Sequence, residues 1–522
     1  VFTGELYPYQ DDAALFIQDR EAALLAYSMG LGKTPITLAA LEGLYSAEDI
    51  DTTLVVVPAS LKWQWAKAVR KFTDCEMPDW DKPHSHDCVV IDGTKQQRRL
   101  QWQFAIGCSS RYVICSYNAL RMDWDLVKAL PFQAMVCDEA TALKNFRGKT
   151  AKLIKSLQPR IRIALTGTPV ENRPEELYSI MQWVDKEVLG RWDYFDKSFI
   201  VRNSFGGVLR YKNLDLLHER LSKAMIRKSR FDPDVAPYLP DVMEVDIPVE
   251  LDAASRRAYR VIEKDLLAAL EALGDSSPGF NIAEYYAGGP ALSSSIRGKV
   301  MARMQVMRMF LDDPELVAES ARLAENTGNS GCQYASELLC RPGFALPPLS
   351  PKLDALKALI RRICAEDDSK IIVFTEYRRM QRIIEAHLKG PYALEYVLYH
   401  GGMSASEKAV AADRFQDDPN CRIFLSTDAG GYGLDLPAAK YLINFDLPYS
   451  GGKQKQRNAR HVRASSQHKK VFVANLVCAD TIEERVLKTL NLRARVSDAI
   501  VDGRGNAVIE NDVDSLSKYV SR

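Results

Sequence analysis

Met29-Gly-Leu-Gly-Lys-Thr34 stands between a short apolar run, Ala22 to Ala26, and a helical run, Ile36 to Leu44. Further on, Cys137-Asp-Glu-Ala-Thr141 closes another apolar run with two adjacent carboxylates. A glycine-bearing loop that turns from a strand into a helix points successive backbone amides at one spot, where the helix dipole also favours negative charge. Such a loop cradles phosphate. Lys33 then pairs with the β- and γ-phosphates of a nucleotide, and the Thr34 hydroxyl serves Mg²⁺. Pro35 fits the first helical turn, where its missing amide costs nothing. The strict eight-residue loop carries glycine where this chain has Tyr27, so a chance match is the bland alternative. The carboxylate pair weakens it. NTP hydrolysis needs one acid near the metal, which suits Asp138, and another to activate water, which suits Glu139. Together the two stretches imply an ATPase.

Around them, strand-like and helix-like segments alternate twice along the chain. The first series has Ala22 to Ala26, Thr53 to Val57, Tyr112 to Cys115, Ala134 to Cys137 and Arg162 to Leu165; the second has Ile371 to Phe374, Leu394 to Leu398, Arg422 to Leu425, Tyr441 to Phe445 and Val471 to Leu476. Short apolar runs separated by amphipathic segments predict parallel strands with crossover helices. Ser404-Ala-Ser-Glu407 and Thr481-Ile-Glu-Glu484 fit capping boxes at helix starts. The middle, roughly 183–350, lacks strand alternation and carries helical runs at Ala253 to Ala272 and Ile296 to Phe310. Between them, Gly274 to Gly279 and Gly288-Gly-Pro290 read as a flexible insertion. Four prolines between Pro342 and Pro351 read as a linker. The expected organisation is α/β, with a first lobe at 1–182, helical protrusions and linker at 183–350, a second lobe at 351–495 and a C-terminal extension at 496–522.

A chain of 522 residues suggests three or four compact units at ~150 residues each. Its 47% apolar and 26% charged residues exclude a disordered or fibrous protein. No apolar stretch approaches the ~18 residues needed to cross a bilayer. Glu5, Asp11 and Asp12 stand where a signal peptide needs a basic start. The reading is an intracellular protein, cytoplasmic in a bacterial or viral setting and nuclear in a eukaryotic one. A net charge of +1 rules out a blanket of positive charge but leaves room for a local basic groove. Ten scattered cysteines without a C-x-x-C pair read as reduced core thiols.

Read serially, the motifs resemble the SWI/SNF family of ATP-driven DNA translocases, within the superfamily 2 helicases. Leu6-Tyr-Pro-Tyr-Gln10 resembles the Q motif, Leu54 to Leu61 with Gln64-Trp65 motif Ia, and Asp138 to Asn145 the DEAH-containing box. Leu165-Thr-Gly-Thr-Pro169 resembles motif III and Ile371 to Glu376 motif IV. Ser426 to Leu436 resembles motif V, and Gln456-Arg-Asn-Ala-Arg-His-Val-Arg463 motif VI. Thr141 replaces the box's histidine, Asp435 an asparagine and Ala459 a glycine, which points to a small, divergent branch like the viral, bacterial and annealing-helicase-like members.

The resemblance implies two RecA-like lobes with a helical protrusion between them, and a site shared across a cleft. Gln10 would contact adenine; Met29, Gly30, Leu31, Gly32, Lys33 and Thr34 would hold the phosphates, with Gly433 and Asp435 contributing from the second lobe. Thr34 and Asp138 would hold Mg²⁺. Lys33, Asp138 and Glu139 would act with Arg460 and Arg463, spaced to share one helix face, as charges on the γ-phosphate; a solvated basic helix is the bland alternative. By motif position, Lys62, Asn118, Lys144, Arg378 and Thr427 would contact double-stranded DNA. The stretch Lys144 to Arg162 has seven basic residues and no acidic one, and Lys440 to Lys470 has eight against Asp446, though such runs are often solvated faces. The leading expectation is an ATP-dependent translocase on duplex DNA. A strand-separating DNA or RNA helicase and a DNA-binding scaffold with a decayed motor are the alternatives. Cys75, His84, His86 and Cys88 have residue types that suit Zn²⁺, but their spacing is uncommon, and a polar surface loop is the preferred reading.

Overall fold

In the computed structural model, each apolar run of the first series is a strand of one parallel sheet. The structure describes residues 1–75, 87–146, 148–170, 174–202, 208–274, 294–389, 394–428, 434–448, 451–463 and 466–488. The first lobe contains β1 (Ala22–Tyr27), β2 (Thr53–Val57), β3 (Cys88–Val90), β4 (Tyr112–Ser116), β5 (Ala134–Cys137) and β6 (Ile161–Leu165). An antiparallel pair follows, β7 (Ile200–Arg202) with β8 (Val208–Tyr211), and then β9 (Met225–Lys228). The sheet order is β3-β4-β2-β5-β6-β1-β9, and all its pairs are parallel.

Both faces of this sheet are covered, which is why its strands are continuously apolar instead of alternating. Leu24, Ala26, Leu54 and Val56 enter the core on one face; Ala23, Leu25, Val55 and Val57 enter the core on the other. The second lobe repeats the device with β10 (Asp241–Val249), β11 (Lys370–Thr375), β12 (Glu395–Tyr399), β13 (Cys421–Thr427), β14 (Ala439–Asn444) and β15 (Lys470–Cys478), in the order β10-β15-β14-β11-β13-β12. Ile371 and Val373 face one core while Ile372 and Phe374 face the other. Parallel strands put all their C-terminal ends on one edge, and the loops there build the site.

The middle of the chain departs from its sequence reading. It does contain long helices, Ala253–Gly274 and Ser294–Asp312, but it also supplies β9 to the first sheet and β10 to the second. The first lobe's core runs on to Met225, and the second lobe's begins at Val249. Both strands escaped notice because they are sheet edges. β9 is Met-Ile-Arg-Lys, with only its first residue fully buried, and most of β10 is exposed. The proposed insertion around 275–290 and the extension at 496–522 lie outside the described residues.

Helix starts follow local chemistry. The Ser404 hydroxyl accepts from the Glu407 amide, and the Glu407 carboxylate returns to the Ser404 amide, completing the expected box. At Thr481 the box does not form as spaced. Its hydroxyl accepts from the Glu483 amide, and the Glu483 carboxylate takes the Cys478 amide and the fully buried Lys352. Lys352 also meets Asp312 at 3.1 Å, tying the end of helix Ser294–Asp312 to the second lobe. Among the described residues, no helix is long and apolar enough to cross a membrane.

Candidate active site

The loop after β1 turns through two left-handed glycines, Gly30 at φ +87° and Gly32 at φ +80°, a conformation that costs other residues ~1–2 kcal/mol. Crowding adds a second demand. A Cβ on Gly32 would lie 2.3 Å from Gln10 Nε2, and one on Gly30 would lie 2.4 Å from the carbonyl oxygen of Val462. Gln10 is locked beneath the loop: its Nε2 donates to the Leu31 carbonyl, and its Oε1 accepts from the Tyr7 amide, both at 3.0 Å. Leu31 is buried, whereas Thr34 is half-buried in the first turn of helix Lys33–Ser46. The Lys33 amine donates to the Tyr27 carbonyl at 3.0 Å. Burial lowers its pKa, opposed by the charges of Glu139 and Asp138 nearby.

Those carboxylates sit at the end of β5. Asp138 Oδ2 accepts from the Trp65 indole at 2.7 Å, and Oδ1 accepts from the Glu139 amide at 2.7 Å. Its carbonyl takes the Tyr117 hydroxyl, also at 2.7 Å. Glu139 adopts φ +46°, an uncommon conformation for a residue with a side chain. Its Oε2 is buried without a hydrogen-bond partner among the described residues. Burial pushes both carboxyls up, and Lys33 pulls both back. Thr141 is exposed, and its hydroxyl turns back to the Glu139 carbonyl at 3.1 Å.

The second lobe reaches into the same cleft. Arg460 is 7% exposed, and it donates to the Leu434 carbonyl at 3.2 Å. Its pKa is brought down to about 10 by burial and then by Arg463, while Asp435 and Glu139 oppose the shift. Arg463 pairs with Asp435, and its Nη1 lies 2.8 Å from the Cβ position of Gly30. Both arginines keep a buried Nε without a hydrogen-bond partner among the described residues. Asp435 is therefore tied to the arginine, and Gly433 lies outside the described residues. Arg457, in the stretch resembling motif VI for which the sequence leaves a solvated basic helix as the bland alternative, is 3% exposed and pairs with Asp428 and Asp446. Asp446 also accepts from the Thr375 hydroxyl and the Glu376 amide at 2.7 Å each. This network anchors helix Gly451–Asn458, just before Arg460.

The candidate DNA contacts fall on or just beyond strand ends of both sheets, in different states. Asn118 and Arg378 are exposed, and each is engaged by a neighbour, Arg121 or Gln381. Lys62 is buried and paired with Asp92 at 2.7 Å; a phosphate there would have to open that pair. Lys144 lies 3.6 Å from Glu176, and Thr427 is buried at the end of β13. Cys75 and Cys88 belong to one apolar core, where burial raises both thiol pKa values, to about 11 for Cys75. His84 and His86 lie outside the described residues, and the described residues contain no cluster suited to a metal ion. Sequence reading missed Trp65, Tyr117 and Arg457 as parts of the site. In the sequence, Trp65 carries no signal beyond its place with Gln64 in the stretch resembling motif Ia.

A model of the SNF2-related domain matches residues 9–284, and one of the helicase conserved C-terminal domain matches 351–465. The chain is 26% identical over 535 residues to a DNA repair and recombination protein RAD54-like of Drosophila grimshawi, across 96% of this chain and 64% of the relative's length. Among solved structures, the Pyrococcus furiosus Hef helicase domain aligns over 92% of this chain and 97% of its own, with TM-score 0.51 and 18% identity. That likeness concerns the fold. The Sulfolobus solfataricus SWI2/SNF2 ATPase core in complex with dsDNA aligns over 99% of this chain and 97% of its own, with TM-score 0.42 and 22% identity.

Proposed function

The chain belongs to the SNF2-related domain family, and from that premise we propose that it hydrolyses ATP between its two lobes to move along double-stranded DNA or to remodel protein–DNA complexes. One juxtaposition carries the reading. Arg460 and Arg463, from the second lobe, face the loop of Gly30 and the carboxylate of Glu139, from the first. Neither lobe alone holds both halves.

The residues present fit Mg²⁺ and ATP. Among the described residues, the buried Oε2 of Glu139 and the buried Nε atoms of Arg460 and Arg463 lack hydrogen-bond partners and supply an acceptor and donors, while the glycine loop turns into the N-terminus of helix Lys33–Ser46. Thr34 and Asp138 would hold the ion, whose positive charge offsets the charge on the transferring phosphoryl group. Lys33 offsets phosphate charge from the first lobe. Glu139 orients the attacking water and accepts its proton. Arg460 and Arg463 meet the charge that develops in the transition state, which is worth ~10³ or more in rate in comparable transfers. Both arginines are short of water, so their charge is weakly screened there. Opening and closing of this cleft moves the lobes relative to each other along the duplex. The contacts are to phosphates, so little sequence preference is expected. The RAD54-like relative, named for DNA repair and recombination, supports DNA as the partner.

The test is ATP hydrolysis without nucleic acid and with single-stranded, duplex and forked DNA or RNA, alongside Glu139→Gln. The expected result is strong stimulation by duplex, abolished in the variant. Stimulation by single strands or RNA alone would establish a strand-separating helicase instead. A flat rate, insensitive to the mutation, would leave a DNA-binding scaffold.

A further inference from the structure

Asp138 is gripped by side chains from two helices, each of which also carries a candidate DNA contact. Trp65 lies one helical turn beyond Lys62 on helix Lys62–Phe72 and is 1% exposed; its indole N–H donates to Asp138 Oδ2 at 2.7 Å. Tyr117, beside Asn118 on helix Tyr117–Met122, donates its hydroxyl to the Asp138 carbonyl at 2.7 Å. These helices follow β2 and β4, which are neighbours in the sheet, and β2 in turn pairs with β5, whose last residue, Cys137, precedes Asp138. Indole has a single polar hydrogen, and here it is spent on a carboxylate. Each carboxylate oxygen has two lone pairs, so one bond from Trp65 and one from the Glu139 amide still leave both oxygens able to meet a metal. A hydrogen bond from outside the first ring of ligands fixes the orientation of a ligand and tunes its affinity.

We infer that Trp65 and Tyr117 are positioning residues that set the site's affinity for a metal–nucleotide complex and transmit DNA contact at Lys62 and Asn118 to Asp138. The inference rests on the ATPase reading above. A shift of either helix start changes where Asp138 points, because both rings are rigid, the indole buried and the phenol half-buried. Coupling of this kind is reciprocal: the factor by which duplex tightens nucleotide binding is the factor by which nucleotide tightens duplex binding.

The experiment measures binding, not turnover. Fluorescent ADP is titrated into the full chain with and without Mg²⁺, and with and without a duplex oligonucleotide, for wild type, Trp65→Phe, Tyr117→Phe and the double variant. Trp102→Phe is the control for lost packing, because Trp102 is equally buried and donates to Asp123 at 3.1 Å in the same lobe. Trp65→Phe should lose about tenfold of the Mg²⁺-dependent gain in affinity, the scale of one hydrogen bond to a charged group, while metal-free affinity holds. Tyr117→Phe should lose about threefold, as for a bond to a neutral carbonyl. In the double variant, duplex should no longer change the affinity. Trp102→Phe should lower the melting temperature and leave these gains intact. A wild-type Mg²⁺ gain in Trp65→Phe, or a loss shared by Trp102→Phe, overturns the inference. So does wild-type protein whose Mg²⁺-dependent ADP binding ignores duplex. Wild-type protein that binds no ADP under any condition instead removes the ATPase reading itself.

Discussion

The two halves of the cleft are held by opposite means. In the first lobe, Asp138 is fixed by neutral donors, the Trp65 indole, the Tyr117 hydroxyl and a backbone amide. In the second, the approach to Arg460 is fixed by charge, with the buried Arg457 guanidinium set against Asp428 and Asp446. Neutral donors hold one geometry and are cheap to remove singly. A buried ion network tolerates no missing member, because the remaining charge is left without compensation. The carboxylate half should therefore degrade gradually under mutation, and the arginine half abruptly.

The largest effect tests the arginines themselves. Arg463→Ala should cut duplex-stimulated ATP turnover by ~10³ or more and leave metal-dependent ADP affinity within about twofold, since ADP brings neither the γ-phosphate nor the transition-state charge that Arg463 meets. Steady-state hydrolysis and a binding titration separate the two. A loss confined to KM would mean the arginine only binds, and the division of labour between the lobes would be gone.

Next comes the contrast in stability. Arg457→Met should cost about 3–5 kcal/mol, because it strands the buried Asp446 carboxylate and the half-buried Asp428; Trp65→Phe should cost about 1–3 kcal/mol. Denaturant unfolding of the full chain reads both. Changing Asp428 and Asp446 to asparagine together with Arg457→Met should recover much of the loss, as expected when a buried ion network gives way to neutral groups. Equal costs for Arg457→Met and Trp65→Phe would erase the distinction.

The cradle comes third. Gly32→Ala puts a Cβ at φ +80° and 2.3 Å from Gln10 Nε2, and the left-handed penalty alone is ~1–2 kcal/mol. ATP affinity should fall about tenfold, since 1.4 kcal/mol is one decade. Adding Gln10→Ala should relieve the crowding but not the backbone cost. Full recovery in that double variant would show that crowding alone required glycine.

The sequence made visible what lies at the centre of each sheet. The runs around Val55 and Val373 are apolar on both faces, so length and flanking turns were enough to mark them as strands. The edges were hidden for the converse reason: β9 spends half its length on Arg227 and Lys228, and β10 carries Asp241, Glu244 and Asp246. The site divides in the same way. Lys33, Asp138 and the glycine loop announce themselves because phosphate chemistry restricts residue type and spacing. Trp65 does not, since a tryptophan on the apolar face of an amphipathic helix looks the same whether or not its indole has a carboxylate to meet. Sequence alone leaves a solvated helix open for Arg457, because its partners lie 11 and 29 positions away.

The smallest effect concerns Thr141, where the family box has histidine. Thr141 is exposed, and its hydroxyl and amide both return to the Glu139 carbonyl, at 3.1 and 2.6 Å. The amide contact belongs to the backbone and survives any substitution. Removing the hydroxyl leaves the carbonyl satisfied and creates no cavity, so Thr141→Ala should change neither stability by more than ~0.5 kcal/mol nor hydrolysis by more than about twofold. A larger fall in hydrolysis with unchanged unfolding would mean that this hydroxyl holds Glu139 in its left-handed conformation. The carboxylate half would then depend on a single side-chain contact, much as the arginine half depends on Arg457.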